Sequence, residues 1–233
     1  MNYINYFTEI EERFQQRRGT LLMLSTLDWA LIETWREAGI PLEAVLRGID
    51  DSFDKHDART RQAGSRIRKV NGLAWCAQAV MTAAEQVKEA AIGLATPSTE
   101  PQESGFEQPR IAQYLERNAA LLEAAALPAP ADALAAETAT RLRSLALEPA
   151  ATLEELDRTL SALEERLTAA LLTIAPEDEI VALKAQADRE LAPYKSRMGA
   201  VQIKQVQQQF LHKRLMESRN LPRLSLFYMS HEG

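Results

Sequence analysis

The 233-residue sequence predicts an all-α protein, and three observations support this fold class. Ala, Leu, Glu, Gln and Arg dominate the chain, and these residue types favour helices. Apolar residues recur at spacings of three and four, which places them on one face of a helix. Runs of alternating β-branched residues, the pattern of a half-buried strand, are missing. We therefore expect helices throughout, in two parts joined by a linker.

The first part, residues 1–95, is predicted to be a small helical domain of four helices. Glycines end its first two helices, a hydroxyl residue caps the second, and a proline opens the third. Residues 55–72 (KHDARTRQAGSRIRKVNG) are polar and are predicted to form a loop. The predicted helices are residues 5–18, a second from Ser25 or Thr26 to Gly39, a third from Pro41 through Phe53, and a fourth from about 70 to 94.

Residues 96–109 (TPSTEPQESGFEQP) are predicted to be a linker between the two parts. Three prolines, three acidic residues and almost no apolar side chains cannot bury a core. The second part, residues 110–233, is predicted to be a C-terminal helical bundle. Its helices are expected at residues 110–126, 131–147, 152–174, 176–194 and 200–218.

Two consecutive helices of the second part, residues 153–194, are predicted to pair as a long antiparallel hairpin. The first begins with a capping box, Thr152 with Glu155, and carries leucines at alternating spacings of three and four. Only a short Ala-Pro joint separates it from the second helix, which favours antiparallel packing. Pro193 is expected to kink the second helix.

Composition excludes several classes of protein. The net charge is −6, from 27 Lys and Arg against 33 Asp and Glu. A single cysteine excludes a disulfide framework and a cysteine-based zinc site. No apolar run approaches the roughly 20 residues of a membrane span, and the start of the chain turns acidic where a secretion signal would be apolar. We expect a cytoplasmic protein without membrane contact.

The sequence shows no arrangement typical of catalysis. His56, His212 and His231 are not at metal-ligand spacing, and a glycine-rich phosphate loop is missing. We therefore expect a non-enzymatic protein with no catalytic residues, no metal and no cofactor. Cys76 is interpreted as a small core residue. The three tryptophans, Trp75 among them, are interpreted as core anchors in preference to platforms for base stacking.

Positive charge is concentrated in two places, and the first is the end of the predicted loop. Residues 59–69 carry five cations and no acid. Cations interspersed with neutral donors suit contacts to phosphates. A solvated loop that balances nearby acidic residues is the alternative. The five candidate nucleic-acid-binding residues are Arg59, Arg61, Arg66, Arg68 and Lys69.

The second basic element is the stretch 194–229, whose seven basic residues and one acidic residue give a net charge of +6. Lys204, Lys213 and Arg214, on its predicted helix, are further candidates for phosphate contacts. The preceding stretch, residues 110–193, carries 8 basic and 15 acidic residues. Pairing with those acids is the alternative, and we favour it because it needs no partner.

The last apolar segment, residues 224–229 (LSLFYM), is unusual for a chain end. Left exposed, it would promote aggregation. It is therefore expected to dock onto its own domain, a second copy or a partner protein. The candidate partner-binding residues are Leu224, Leu226, Phe227 and Tyr228.

One pattern of residues resembles a known family. It consists of Leu31-Ile32, Trp35, Gly39-Ile40-Pro41, Val45-Leu46, Ile49, and Asn71 with Trp75. Over residues 27–84 this pattern resembles the C-terminal domain of DnaD-like primosomal and phage replication proteins. Where that family has Tyr, Ile and Trp at steps of four, this chain has Trp75, Ala79 and Ala83. The resemblance implies an all-helical module that binds DNA near this motif and helps to load or remodel replication machinery.

These observations predict a non-catalytic nucleic-acid-binding accessory protein that contacts phosphates of DNA through its basic loop. The alternative is a structural adaptor. An adaptor would bind a partner protein or a second copy through the predicted hairpin 153–194 and the apolar C-terminal segment.

Overall fold

The computed structural model describes residues 6–19, 23–63, 70–91, 107–148 and 152–231. Within these ranges the chain is helical and has no strand, which confirms the all-α prediction for them. None of the described helices is both long and apolar enough to cross a bilayer. Three 3₁₀ helices cover Leu73–Cys76, Lys195–Arg197 and Leu226–His231. The α-helices are α1 (Tyr6–Arg18), α2 (Thr26–Glu37), α3 (Leu42–Ala63), α4 (Ala77–Ala91), α5 (Glu107–Ala124), α6 (Ala131–Leu147), α7 (Leu153–Ile174), α8 (Glu177–Leu191) and α9 (Ala200–Glu217).

Local capping signals account for several helix ends. The Ser25 hydroxyl accepts a hydrogen bond from the Asp28 N–H at 3.2 Å, and the Ser25 N–H donates to the Asp28 carboxylate at 3.0 Å. Thr152 caps α7 by accepting from the Glu155 N–H at 3.1 Å. Gly39 follows α2 with a φ of +67°, which glycine adopts without a steric penalty. The predicted caps are therefore observed, but of the capping box predicted at Thr152 the structure shows only the bond from the Glu155 N–H to the Thr152 hydroxyl.

The main difference from the prediction is the length of α3, which continues for ten residues past Phe53. The segment that follows Phe53 was predicted as a loop because it is polar. Arg17 of α1 contacts Asp54 at 2.5 Å and Asp57 at 3.7 Å. These two acids lie on adjacent turns of α3, so polar side chains of the extension face a cation of the neighbouring helix.

The described residues form two compact units, and the division is not a single point in the sequence. The first unit contains the described residues from 6 to 91 together with Ala185–Phe210. The second contains those from 107 to 184 together with residues 211–231. The prediction assigned everything after residue 109 to the C-terminal part. Contacts instead group residues 185–210 with the N-terminal helices.

In the first unit, α3 and α4 approach closely at Gly48. A Cβ atom at this position would lie 2.5 Å from both the Cα and the N atom of Val80. Real Cβ atoms do not approach backbone atoms this closely, so only glycine permits the observed packing. Large side chains complete the core, and Phe7, Phe14 and Trp35 are fully buried.

Asp28 connects the start of α2 to the 3₁₀ helix Leu73–Cys76. Its carboxylate is buried, and Oδ1 accepts a hydrogen bond from the Leu73 N–H at 2.7 Å. Burial raises the pKa of Asp28 above its ordinary value, and hydrogen bonds from Ser25 and Leu73 act in the opposite direction. One buried carboxyl group therefore joins two segments that lie 45 residues apart.

In the second unit, α6 packs against both α5 and α7. The predicted hairpin of α7 with α8 is not among the closely packed helix pairs of this unit's described residues. An apolar seam specifies which face of a helix is buried, but it does not specify which helix covers that face. The prediction that Pro193 kinks a longer helix is also corrected, because α8 ends at Leu191. The buried leucines of the α7 seam are Leu156, Leu160, Leu163, Leu167 and Leu171.

We predict that Gly48→Ala destabilises the protein by about 1–3 kcal/mol, because the added methyl group forces α3 and α4 apart. Urea denaturation followed by circular dichroism measures this loss. The matched control is Gly199→Ala, since a Cβ atom at Gly199 meets no atom within 4 Å. Equal stability of the two variants would show that the α3–α4 contact adjusts without strain.

We predict that the stability of the wild type relative to Asp28→Asn increases as the pH is lowered from neutral. Because the folded-state pKa of Asp28 is raised, the folded protein binds a proton before the unfolded chain does. This contribution is complete below the unfolded pKa of about 3.8 and is lost as the pH rises through the folded pKa. Denaturation curves of both proteins across that range test it, and a pH-independent difference contradicts it.

Candidate functional site

A polar cleft of about 350 Å³ lies between α3 and α4 in the first unit. Asp51, Lys55 and Arg59 follow each other at one-turn intervals on α3 and therefore share one face of the helix. Trp75 lines the cleft from the 3₁₀ helix Leu73–Cys76, and Arg197 lines it from the later part of the chain. The other lining residues are Ser52, Gln78, Ala79 and Thr82.

The three cations of the cleft are exposed and unpaired within the described part of the chain. Lys55, Arg59 and Arg197 each lack an ion-pair or side-chain hydrogen-bond partner among those residues. On a different face of the same helix, by contrast, Asp50 and Asp54 pair with arginines of α1. α3 thus directs paired acids to α1 and unpaired cations to the cleft, which gives the cleft a local positive charge.

Trp75 is partly exposed and forms a wall of this cleft. Its ring makes edge contacts with Phe53 and His56, at centroid distances of 6.0 and 5.6 Å. The ring is therefore anchored on its core side and accessible on its cleft side. Ala79 also lines the cleft and carries only a methyl group, which leaves space beside the indole.

The five loop cations predicted to contact phosphates have different positions in the structure. Arg59 lines the cleft. Arg61 lies on α3 rather than in a loop, is exposed, and donates from Nε to the Asp57 carbonyl at 3.4 Å. The other three predicted contacts, Arg66, Arg68 and Lys69, lie outside the described residues.

Two cations of the cleft are not among the predicted site residues. Lys55 lies four residues before Arg59, so a longer predicted α3 would have placed both on one face. Arg197 belongs to the basic stretch 194–229, but it lies more than one hundred residues from Arg59 along the chain, and only folding brings it to the cleft. Lys55 was not predicted because α3 was predicted too short, whereas Arg197 reaches the cleft only through the tertiary structure.

The C-terminal cations are largely engaged within the chain. Lys213 and Arg214 both contact Glu217, each at 3.1 Å. Lys204 is exposed and has no ion-pair partner among the described residues. Three acids of the stretch 110–193 pair with other cations of the stretch 194–229, as the intramolecular alternative predicts. These pairs are Arg219 with Glu179 at 2.9 Å, Arg223 with Glu164 at 2.6 Å and Lys195 with Asp188 at 2.7 Å.

The apolar C-terminal segment is buried, and its Leu224, Leu226 and Met229 belong to the hydrophobic core of the second unit. Leu224, Leu226 and Phe227 are fully buried, and Tyr228 is 4% exposed. Of the three docking places left open by the sequence, the chain's own domain is the one observed for Leu224 and Leu226. The assignment of all four residues to a partner-binding surface is corrected, because their side chains are already buried within the chain.

Buried carboxylates of α7 hold the backbone N–H groups of this segment. Glu164 accepts from the Leu224 N–H at 2.5 Å and contacts the Arg223 guanidinium at 2.6 Å. Two turns earlier on α7, the Asp157 carboxylate accepts from the Leu226 N–H at 2.9 Å. Glu164 is thus both the acceptor of a backbone hydrogen bond and the counter-ion of a buried arginine.

Polar side chains of α5 bind the carbonyl groups of the same segment. The Tyr114 hydroxyl lies 2.7 Å from the Arg223 carbonyl and 2.9 Å from the Ser225 carbonyl. The Asn118 amide donates to the Arg223 carbonyl at 3.2 Å. Side chains therefore satisfy backbone groups of Arg223, Leu224 and Ser225, which precede the 3₁₀ helix Leu226–His231 and lie outside the α-helices.

The described ranges contain no cluster of three or more His, Cys, Asp or Glu side chains that could hold a metal ion. Cys76 is fully buried, and burial raises the pKa of its thiol to about 12. Because the thiolate is the reactive form, Cys76 packs as a core residue and does not serve as a nucleophile at neutral pH.

Comparison with known proteins locates a family match in the first part of the chain. A family model described as an uncharacterised protein matches residues 5–93, which is under half of the sequence. No curated protein and no solved structure matches the chain. The matched range includes α3, Trp75 and α4, and therefore all lining residues of the cleft except Arg197.

We predict that Glu164→Gln destabilises the second unit by roughly 3 kcal/mol, because it leaves the buried Arg223 guanidinium without a counter-ion. Glu165→Gln is the matched control, since Glu165 is the next residue on α7 and is exposed. Chemical denaturation of both variants measures the difference. Similar stabilities would mean that the Glu164–Arg223 pair does not hold the C-terminal segment.

Proposed function

We propose that this protein is a non-catalytic nucleic-acid-binding accessory protein that contacts phosphates through the cleft between α3 and α4. The observation that carries the proposal is the convergence of Lys55, Arg59 and Arg197 on one cleft without acidic partners among the described residues. Three unpaired cations at one place favour a polyanionic ligand.

The overall charge of −6 is compatible with this function because the cleft's charge is local. Asp51 is the one acid among its lining residues. At physiological ionic strength the Debye length is about 8 Å, so distant acids of the chain are largely screened from a phosphate bound there. Binding through so few contacts is expected to be moderate in affinity and to depend steeply on salt.

The role within a larger process rests on the resemblance to DnaD-like replication proteins. That resemblance implies DNA binding next to Trp75, and Trp75 lines the proposed cleft. A role in loading or remodelling replication machinery is therefore part of the proposal. The adaptor alternative has less support, since the apolar segment that it needed together with the hairpin 153–194 is buried within the chain.

We expect Arg59→Ala/Arg197→Ala to weaken DNA binding about tenfold or more and to lower the salt slope of log K by about 1–2. The reason is the loss of two phosphate contacts. Fluorescence anisotropy with labelled single-stranded and duplex DNA, titrated with salt, measures both quantities.

The matched control is Arg47→Ala/Arg158→Ala, which removes the same charge from exposed helix positions paired with Glu43 and Glu154. If both double variants bind DNA equally well, the cleft is not the contact site. If the wild type does not bind nucleic acid in low salt, the proposed function is wrong.

A further inference from the structure

We propose that the cleft takes single-stranded nucleic acid, with one unpaired base stacked against Trp75 and the flanking phosphates held by Lys55, Arg59 and Arg197. This inference rests on the proposed function and specifies its ligand. The juxtaposition that carries it is an accessible indole and three unpaired cations that line one cleft.

The environment of Trp75 favours a ligand that contains a planar aromatic ring. Trp35, also in the first unit, is fully buried, whereas Trp75 keeps part of its surface accessible. The accessible part faces a cleft whose other lining residues, apart from Ala79, are charged or polar, and these do not cover an indole as a core would. A flat base presents an apolar face to the indole and polar edges to Gln78 and Thr82, so it suits both kinds of wall.

The positions of the cations favour a strand that crosses the cleft. Lys55 and Arg59 are one turn apart on α3, about 6 Å along the helix axis. Arg197 comes from a different segment. Asp51 lies one turn before Lys55 and repels phosphate, which places the backbone of the strand on the Lys55–Arg59 side. Cations that follow a backbone beside an aromatic platform are typical of single-strand binding sites.

The size of the cleft excludes a duplex from the same contacts. A space of about 350 Å³ is at the lower end of small-ligand sites. One splayed base with its sugar fits that scale, whereas the bases of a duplex are stacked on each other and expose only their edges. A duplex could contact the cations from outside but could not place a base against Trp75.

Three labelled probes with the same number of phosphates test the inference on the full-length protein. They are single-stranded oligothymidylate, an abasic strand, and a duplex. One stacked base is expected to make oligothymidylate bind about 5- to 100-fold more tightly than the abasic strand. Trp75→Leu should remove that advantage while the affinity for the abasic strand stays the same.

Intrinsic fluorescence provides a second readout with a conservative variant. Stacking of thymine on Trp75 should quench part of the tryptophan emission on oligothymidylate binding, and the abasic strand should not. Trp75→Phe should lose this quenching and keep the fold. Trp29→Phe is the matched control, because Trp29 is also partly exposed but stacks on Phe7, and it should retain the quenching.

The outcomes separate the two proposals. Equal affinity for oligothymidylate and the abasic strand, or tighter binding of the duplex, overturns the stacking inference and leaves phosphate binding intact. Quenching that survives in Trp75→Phe also overturns it. If none of the probes binds, the proposed function and the inference both fail.

Discussion

The close approach of α3 and α4 at Gly48 is the constraint on which the site depends. Without a Cβ atom there, the backbone of Val80 reaches α3, and the turns on either side are brought together. Ser52 and Lys55 follow Gly48 within two turns, and Gln78 and Ala79 immediately precede Val80. Residues on the two helices therefore line one space. A side chain at Gly48 would widen the separation and change the cleft.

The faces of α3 show how charge is divided within the first unit. Acids toward α1 are paired with arginines, so this charge serves packing. Cations toward the cleft have no such partners in the described chain, and their charge is available to a ligand. Exposed ion pairs contribute little to stability. The distribution of charge on α3 therefore indicates where an anion can bind, and it says little about what stabilises the fold.

The second unit meets a different physical problem, the burial of backbone groups just before and at the start of the 3₁₀ helix Leu226–His231. Backbone N–H and C=O groups cost free energy when buried without partners. Carboxylates of α7 accept from the N–H groups, and Tyr114 and Asn118 of α5 lie against the carbonyls. This arrangement explains how the apolar segment LSLFYM is buried without leaving these backbone groups unpaired.

The sequence by itself determined the helical fold, most helix bounds, the caps at Ser25 and Thr152, and the candidate Arg59. Each of these depends on residues within one or two turns. Tertiary structure decided the extension of α3, the pairing of α7 with α6, the burial of Tyr228, and the place of Arg197 beside Arg59. Periodicity specifies a buried face but not its partner, and local polarity cannot reveal an ion pair supplied by another helix. Contacts between residues far apart in the chain, which no local pattern encodes, therefore built the cleft.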